Sequence, residues 1–259
     1  MGARQRVRDV LTQVYEHRLA RALETAELPR HVGVIIDGNR RWARDMGLED
    51  VSEGHRRGAD KIADFLGWCD EAGVGVVTIF LLSTDNLSRA EPELVPLLRI
   101  IEDVVADLSA VDRRWHLRAM GALELLPAET VAVLKQAEEL TRDRPGATVN
   151  LAVGYGGRRE IADAVRSLLA EHAERGTPLD ELVELLDVEH IAEHLYTRGQ
   201  PDPDLIIRTS GEQRLSGFLL WQTAHSEFYF TDVYWPDFRR IDFLRALRDY
   251  SARHRRFGS

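Results

Sequence analysis

Apolar positions along this chain follow two periodicities. Short apolar or alternating runs predict strands at Val32 to Ile36 after His31, at Val74 to Leu82, at Trp115 to Met120, at Thr148 to Val153 and at a run ending in Arg208. The most apolar of these is Val74 to Leu82, rich in β-branched residues, which suits a strand buried on both faces of a parallel sheet. Helical spacing fills the intervals. Residues 4–27 place Val7, Val10, Leu11, Val14, Tyr15, Leu19, Ala22 and Leu23 on one stripe before Pro29. Further helices are predicted from Arg40 to Met46, closed by Gly47, and from Gly54 to about Ala72, closed by Gly73. Others follow over Glu93 to Leu108, Pro127 to Thr141, Ile161 to Arg175 and Asp242 to Arg253, with one or two more within 179–197. Residues 48–53 read as loop.

Strands alternating with helices of this length predict an α/β fold, a central mostly parallel β-sheet flanked by helices. The chain has 259 residues and no internal repeat, low-complexity segment or linker, so a single domain over 1–259 is expected. Residues 1–28 would form an amphipathic helix packed on it rather than on a membrane surface.

The candidate chemistry begins where the first strand ends. Asp37-Gly38-Asn39 turns the chain into a helix that opens with Arg40, Arg41 and Trp42. An acid at that place stands at the carboxyl edge of the sheet, where open α/β sheets bind ligands. The first N–H groups of the helix, beside two guanidinium groups, form an anion site. A carboxylate next to an anion site calls for a divalent cation bridging it to a phosphate. Taken alone, an Asp-Gly-Asn is more often a turn or a helix cap. His55, beside Arg56 and Arg57, suits a surface position or an anion contact.

Two more loops follow strand ends. Ser83-Thr84-Asp85-Asn86-Leu87-Ser88-Arg89 is polar and again lies on the ligand edge. Arg208, with Arg214-Leu215-Ser216 on the Gly-containing loop after it, offers two guanidinium forks and a hydroxyl, which suit a diphosphate. A surface ion-pair loop fits that segment as well. Glu227 lies in an aromatic stretch, where an acid needs a partner, a proton or a metal. The Gly-rich turn Gly154 to Arg159 lacks the glycine spacing and later acid of a dinucleotide site.

Composition narrows the partners. A net charge of −9 disfavours non-specific binding to nucleic acid or anionic lipid. The lone cysteine, Cys69, excludes a disulfide framework and a Cys-rich metal site. No apolar run approaches the roughly 20 residues that span a bilayer, and the start lacks a signal-peptide core. Cytoplasmic residence, with at most peripheral membrane contact, is expected.

Together these blocks resemble the cis-prenyltransferases, the undecaprenyl diphosphate synthase family, from about His31 to Gly258. The opening stretch is similar to His-x-x-x-x-x-Asp-Gly-Asn-Gly-Arg-Trp-Ala, and Ser83 to Arg89 to Ser-x-Glu-Asn-Trp-x-Arg. Asn150 to Arg158 is similar to Asn-x-x-x-x-Tyr-Gly-Gly-Arg, and Asp204 to Glu227 to Asp-Leu-x-Ile-Arg-x-x-Gly-Glu-x-Arg-x-Ser with a later Glu. The resemblance implies a homodimer that condenses isopentenyl diphosphate with an allylic diphosphate, forming a cis double bond in an apolar tunnel. By position it implies Asp37 and Glu227 as magnesium ligands. Gly38, Asn39, Arg40, Arg41, Trp42, His55 and Arg89 then fall on the allylic diphosphate, with Thr84, Asp85 and Leu87 in the adjoining loop. Arg208, Arg214, Leu215 and Ser216 fall on isopentenyl diphosphate. Asn86, with Ser83, matches the position proposed for proton removal, and Arg256 with Gly258 a C-terminal Arg-x-Gly that completes the partner subunit's site.

The chain departs from the pattern at Arg40 for Gly, Leu87 for Trp and Asp85 for Glu, and lacks the basic residue usual before Gly54-His55. Leu81, two positions before Ser83, stands where long-chain members have a small residue. With Arg40 and Leu87 it resembles the actinobacterial short-chain members that make (2Z,6E)-farnesyl diphosphate from geranyl diphosphate. Medium- or long-chain synthesis and irregular condensation are the alternatives. A non-catalytic subunit would lack Asp37 and the phosphate-facing Arg residues, and an Asp-nucleophile phosphatase would need an acid where Asn39 stands.

Overall fold

In the computed structural model, which describes residues 3–257 and the side chains of 13–253, every predicted strand is present and one more appears. The strands are β1 (His31–Ile35), β2 (Val76–Ser83), β3 (His116–Met120), β4 (Thr148–Tyr155), β5 (Leu205–Arg208) and β6 (Glu227–Phe230). They form one sheet in the order β3-β4-β2-β1-β5-β6. The pairings of β1 with β5, β5 with β6 and β3 with β4 are parallel. The helices are α1 (Ala3–Leu23), α2 (Asn39–Asp45), α3 (Ser52–Glu71), α4 (Glu91–Leu108), α5 (Ala128–Thr141), α6 (Gly157–Arg175), α7 (Leu179–Leu185), α8 (Val188–Ala192) and α9 (Arg240–Phe257). The chain divides into two units, one of residues 1–77, 203–213 and 226–259, the other of 78–202 and 214–225.

In the first unit β1, β5 and β6 lie side by side. Val32 faces Leu205 and Ile35 faces Arg208, while Glu227 faces Leu205 and Phe230 faces Arg208. The core beside them is aromatic. Phe65 of α3 meets the rings of Trp235, Phe238 and Phe243 edge-on, and Trp235 donates its indole N–H to the Gly58 carbonyl at 2.7 Å. That bond answers the indole's one polar demand, so the whole ring can be buried. Helix α1 packs along α9, with Leu19 and Leu23 buried and the Tyr15 hydroxyl accepting from Arg248 at 3.3 Å. It ends at Leu23, short of the expected 27.

Other boundaries differ for local reasons. Helix α3 begins at Ser52, inside the expected loop, because the Asp50 carboxylate accepts from the Ser52 N–H at 2.8 Å and ties its first turn. Strand β6 escaped notice because four residues headed by an acid carry no alternation. In the second unit β4 runs on to Tyr155, whose carbonyl accepts from the Thr84 N–H at 2.9 Å. Helix α6 therefore starts at Gly157, four residues before the expected Ile161. The core here stacks Phe80 on Phe218, with Tyr155 edge-on to both. Along β2, Leu81 and Ser83 are half-buried while Phe80 and Leu82 are buried, so Leu81 and Ser83 share a face.

Candidate active site

The end of β1 builds a charged corner within the first unit. The Asp37 side chain is 32% exposed, and the Arg208 side chain, 4% exposed, donates from Nη2 to Asp37 Oδ2 at 2.9 Å. Arg41 Nη2 stands 3.6 Å from the same oxygen. The other oxygen accepts from the Gly38 N–H at 2.6 Å. Burial raises the carboxyl pKa, but the Arg208 hydrogen bond and charge, the Gly38 N–H and the Ser210 hydroxyl together hold it below its ordinary value. Asp37 is therefore an anion at neutral pH. The turn is locked from behind by Thr209, whose hydroxyl accepts from the Asp37 N–H at 2.9 Å and donates toward the Asp37 carbonyl at 2.7 Å.

Gly38 is required at this turn. Its φ is +100°, and a Cβ there would meet Tyr234 Cδ1 at 2.7 Å and Ser210 Cβ at 2.9 Å. Gly54 plays the matching part in α3, where a Cβ would lie 2.1 Å from the Asn39 carbonyl. So Asn39 is buried against α3, and Trp42 points an indole N–H into the protein with no partner among the described atoms. Arg40 and His55 are half-buried on α2 and the first turns of α3. Arg56 pairs with Glu53 at 2.7 Å and Asp50 at 3.8 Å, so its charge is turned to acids.

Glu227 belongs elsewhere. It opens β6 opposite Leu205, whereas Asp37 follows β1 beyond the level of Arg208. Leu205 and Arg208 are three strand positions apart, roughly 10 Å. The Glu227 carboxylate is ion-paired to Arg253 at 2.9 Å. Within one chain the structure does not bring the two expected metal ligands together.

In the second unit, Ser83 to Arg89 folds into a turn of 3-10 helix over Asp85–Ser88. The Ser83 hydroxyl accepts from the Asn86 N–H at 3.2 Å. Arg89 donates to Asn86 Oδ1 at 2.9 Å and to Glu93 at 2.7 Å. A guanidinium can only donate, so the Asn86 amide is fixed with its oxygen on Arg89 and its NH2 left as a donor. Thr84 and Leu87 are half-buried and Asp85 exposed.

The 214–225 segment of the same unit carries Arg214 and Ser216 exposed and Leu215 half-buried. Ser216 (φ 50°) and Leu219 (φ 45°) lie in the left-handed region, and such strain persists only where surroundings impose it. Here Gly157 donates to the Gly217 carbonyl at 2.8 Å, and Leu219 donates to the Tyr155 hydroxyl at 3.2 Å. Gln222 donates to Glu160 at 2.9 Å and to Thr197 at 3.0 Å. Glu160, 1% exposed, also accepts from the Tyr155 hydroxyl and from the Tyr196 N–H at 2.9 Å. Burial outweighs these donors and raises its pKa.

Sequence reading missed Thr209, Ser210 and the Glu160 network. Thr209 and Ser210 adjoin Arg208 and were readable as strand-end hydroxyls; Glu160, two residues past Arg158, gave no signal. Arg256 lies outside the residues whose side chains are described. No group of three or more His, Cys, Asp or Glu among the described residues is placed to hold a metal. A lone ionised carboxylate still fits magnesium, which takes one or two carboxylates and fills its shell with phosphate oxygens and water. No helix among the described residues is long and apolar enough to cross a membrane.

Residues 35–258 match the model of the undecaprenyl diphosphate synthase family. A curated (2Z,6E)-farnesyl diphosphate synthase from Thermobifida fusca is 66% identical over 248 residues, 96% of this chain and 97% of that protein. The short-chain Z-isoprenyl diphosphate synthase of Mycobacterium leprae is 57% identical over 255 residues, 98% and 97% of the two chains. Among solved structures, lavandulyl diphosphate synthase from Lavandula x intermedia, in complex with dimethylallyl diphosphate, aligns with a TM-score of 0.81 and 37% identity, over 90% of this chain and 99% of that one.

Proposed function

Because the chain belongs to the undecaprenyl diphosphate synthase family and is thus a cis-prenyltransferase, we propose that it joins one isopentenyl diphosphate to geranyl diphosphate, giving (2Z,6E)-farnesyl diphosphate. The observation that carries this reading is the Asp37 corner, an ionised carboxylate set among Arg41, Arg208 and the Gly38 N–H. That combination suits a diphosphate and a hard cation and little else. The relatives' names support the short product.

In this reading Asp37 is the protein's magnesium ligand, and the ion would neutralise charge on the departing diphosphate. Arg41, Asn39, Gly38, Arg40, Trp42, His55 and Arg89 hold the allylic substrate, and Arg208, Arg214 and Ser216 hold isopentenyl diphosphate. Guanidinium forks pair with phosphate oxygens two at a time and fix their orientation. As the allylic C–O bond breaks, negative charge moves onto the leaving diphosphate, where these donors stabilise it. The isopentenyl alkene attacks the allylic cation, and a proton leaves the new chain. Asn86 presents an NH2 and cannot take that proton. It holds a water or the released diphosphate, which accepts it. Leu81 bounds the growing chain. A homodimer, with Arg256 reaching the partner's site, completes the proposal.

Irregular condensation is the second reading; the relative named for (2Z,6E)-farnesyl diphosphate is 66% identical, against 37% for the lavandulyl diphosphate synthase. Labelled isopentenyl diphosphate, offered with geranyl or farnesyl diphosphate in turn, tests the reading. A 15-carbon product from geranyl diphosphate is expected; no incorporation with either primer overturns it.

A further inference from the structure

Ser210 holds a backbone conformation that glycine would hold at less cost. Its φ is +76°, in the left-handed region, and it is followed by Gly211 at +77°. Two backbone bonds impose this shape: Ser210 donates to the Val233 carbonyl at 2.8 Å and Gly211 to the Thr231 carbonyl at 2.8 Å. Neither needs a side chain at 210. The side chain nevertheless has a use. Its hydroxyl accepts from Arg41 Nη2 at 2.6 Å, the shortest of the contacts recorded for that guanidinium. The same hydroxyl is among the groups that hold the Asp37 carboxyl below its ordinary pKa. The remaining neighbours hold Arg41 more loosely, with Glu212 at 3.3 Å, Asp37 at 3.6 Å and the Tyr234 ring centroid at 5.8 Å.

Arg41 is a long side chain with many rotamers, and its freedom must be lost before it can grip a phosphate. Removing that freedom beforehand strengthens binding without adding a contact to the ligand. Ser210 is buried, so its hydroxyl is a fixed anchor. We propose that Ser210 is a positioning residue for the reaction: its hydroxyl sets the Arg41 guanidinium beside Asp37 in the pose that receives the allylic diphosphate. This rests on the reading that Arg41 binds that substrate. The hydroxyl makes no claim on isopentenyl diphosphate, so its effect falls on one substrate alone.

Two substitutions separate the hydroxyl from the backbone. Ser210→Gly removes both the hydroxyl and the strain; Ser210→Ala removes the hydroxyl and keeps the strain. The probe is geranyl S-thiolodiphosphate, which does not ionise readily, titrated calorimetrically into the full chain in magnesium-free buffer. Both variants are expected to bind it about tenfold more weakly than the wild type, the loss of one charge-assisted bond. Ser210→Gly should melt within about 2 °C of the wild type and keep its KM for isopentenyl diphosphate within twofold. Analogue binding within twofold of wild type in both variants overturns the role. So does a Ser210→Gly variant that melts more than about 5 °C lower and loses both substrates equally, which marks a structural residue. A wild type that binds the analogue but incorporates no isopentenyl unit overturns the functional reading instead, and the binding constants still decide the Ser210 comparison.

Discussion

Arg208, buried at the end of β5, is ion-paired across 2.9 Å to Asp37, which stands two residues beyond β1 and is a third exposed. The two partners of this pair are therefore unequal. Loss of Asp37 takes a carboxylate away from a buried guanidinium, whereas loss of Arg208 affects a partly exposed acid that still has Arg41 and water nearby. Asp37→Ala should cost about 2 kcal/mol of stability, below the ~3–5 kcal/mol of a fully buried pair because Asp37 is partly solvated. Arg208→Met should cost less than half of that. Denaturant unfolding of both variants decides; equal losses contradict the asymmetry. In the same proteins Asp37→Ala should lower turnover more than tenfold, about 1.4 kcal/mol in barrier.

Glu160 supplies a pH signature. Burial raises its carboxyl pKa above the ordinary value of 4.5. A raised folded-state pKa means that the native state favours the proton. The stability this adds is full below pH 4.5 and is lost as pH rises through the folded value. Glu160→Gln has no such titration. The melting temperature of the wild type, relative to this variant, should fall as pH rises from about 4.5 toward 7. A difference that stays flat, or grows with pH, contradicts the burial argument.

Leu81 shares the Ser83 face of β2, the face assigned to the growing chain. Leu81→Ala removes about three carbons of bulk and should lengthen the product, read by chromatography of dephosphorylated alcohols. An unchanged product length means that Leu81 only packs against its neighbours.

Deletion of residues 254–259 removes Arg256 while leaving Arg245 and Arg248, which meet Tyr15 of α1. Turnover should fall at least tenfold, with circular dichroism and melting temperature little changed. Full activity of the truncated chain contradicts a role for Arg256 in the partner's site.

The strands were legible wherever β-branched or apolar residues ran together, as from Val74 to Leu82, because burial on both faces leaves no room for polar alternation. Strand β6 was not, since Glu227, an edge position and four residues give no period to read. Asp37 and Arg41, on the turn after one strand, and Arg208, at the end of another, were legible as candidates because strand ends lie at the ligand edge of such a sheet. Their geometry was not. The 2.9 Å pairing of Arg208 with Asp37 depends on the register of Ile35 against Arg208, a contact between residues far apart in sequence. That same register separates Glu227 from Asp37, which no linear spacing reveals. The part played by Ser210 rests on a positive φ, visible only once the backbone is traced.

The most direct measurement is the structure of the product itself. The purified chain, given geranyl diphosphate, carbon-13-labelled isopentenyl diphosphate and magnesium, should yield a single 15-carbon diphosphate. Nuclear magnetic resonance of that product should show one new double bond, of Z geometry, at the diphosphate end. An E double bond, a branched skeleton or a chain of 50 carbons or more would contradict a single cis addition at this site.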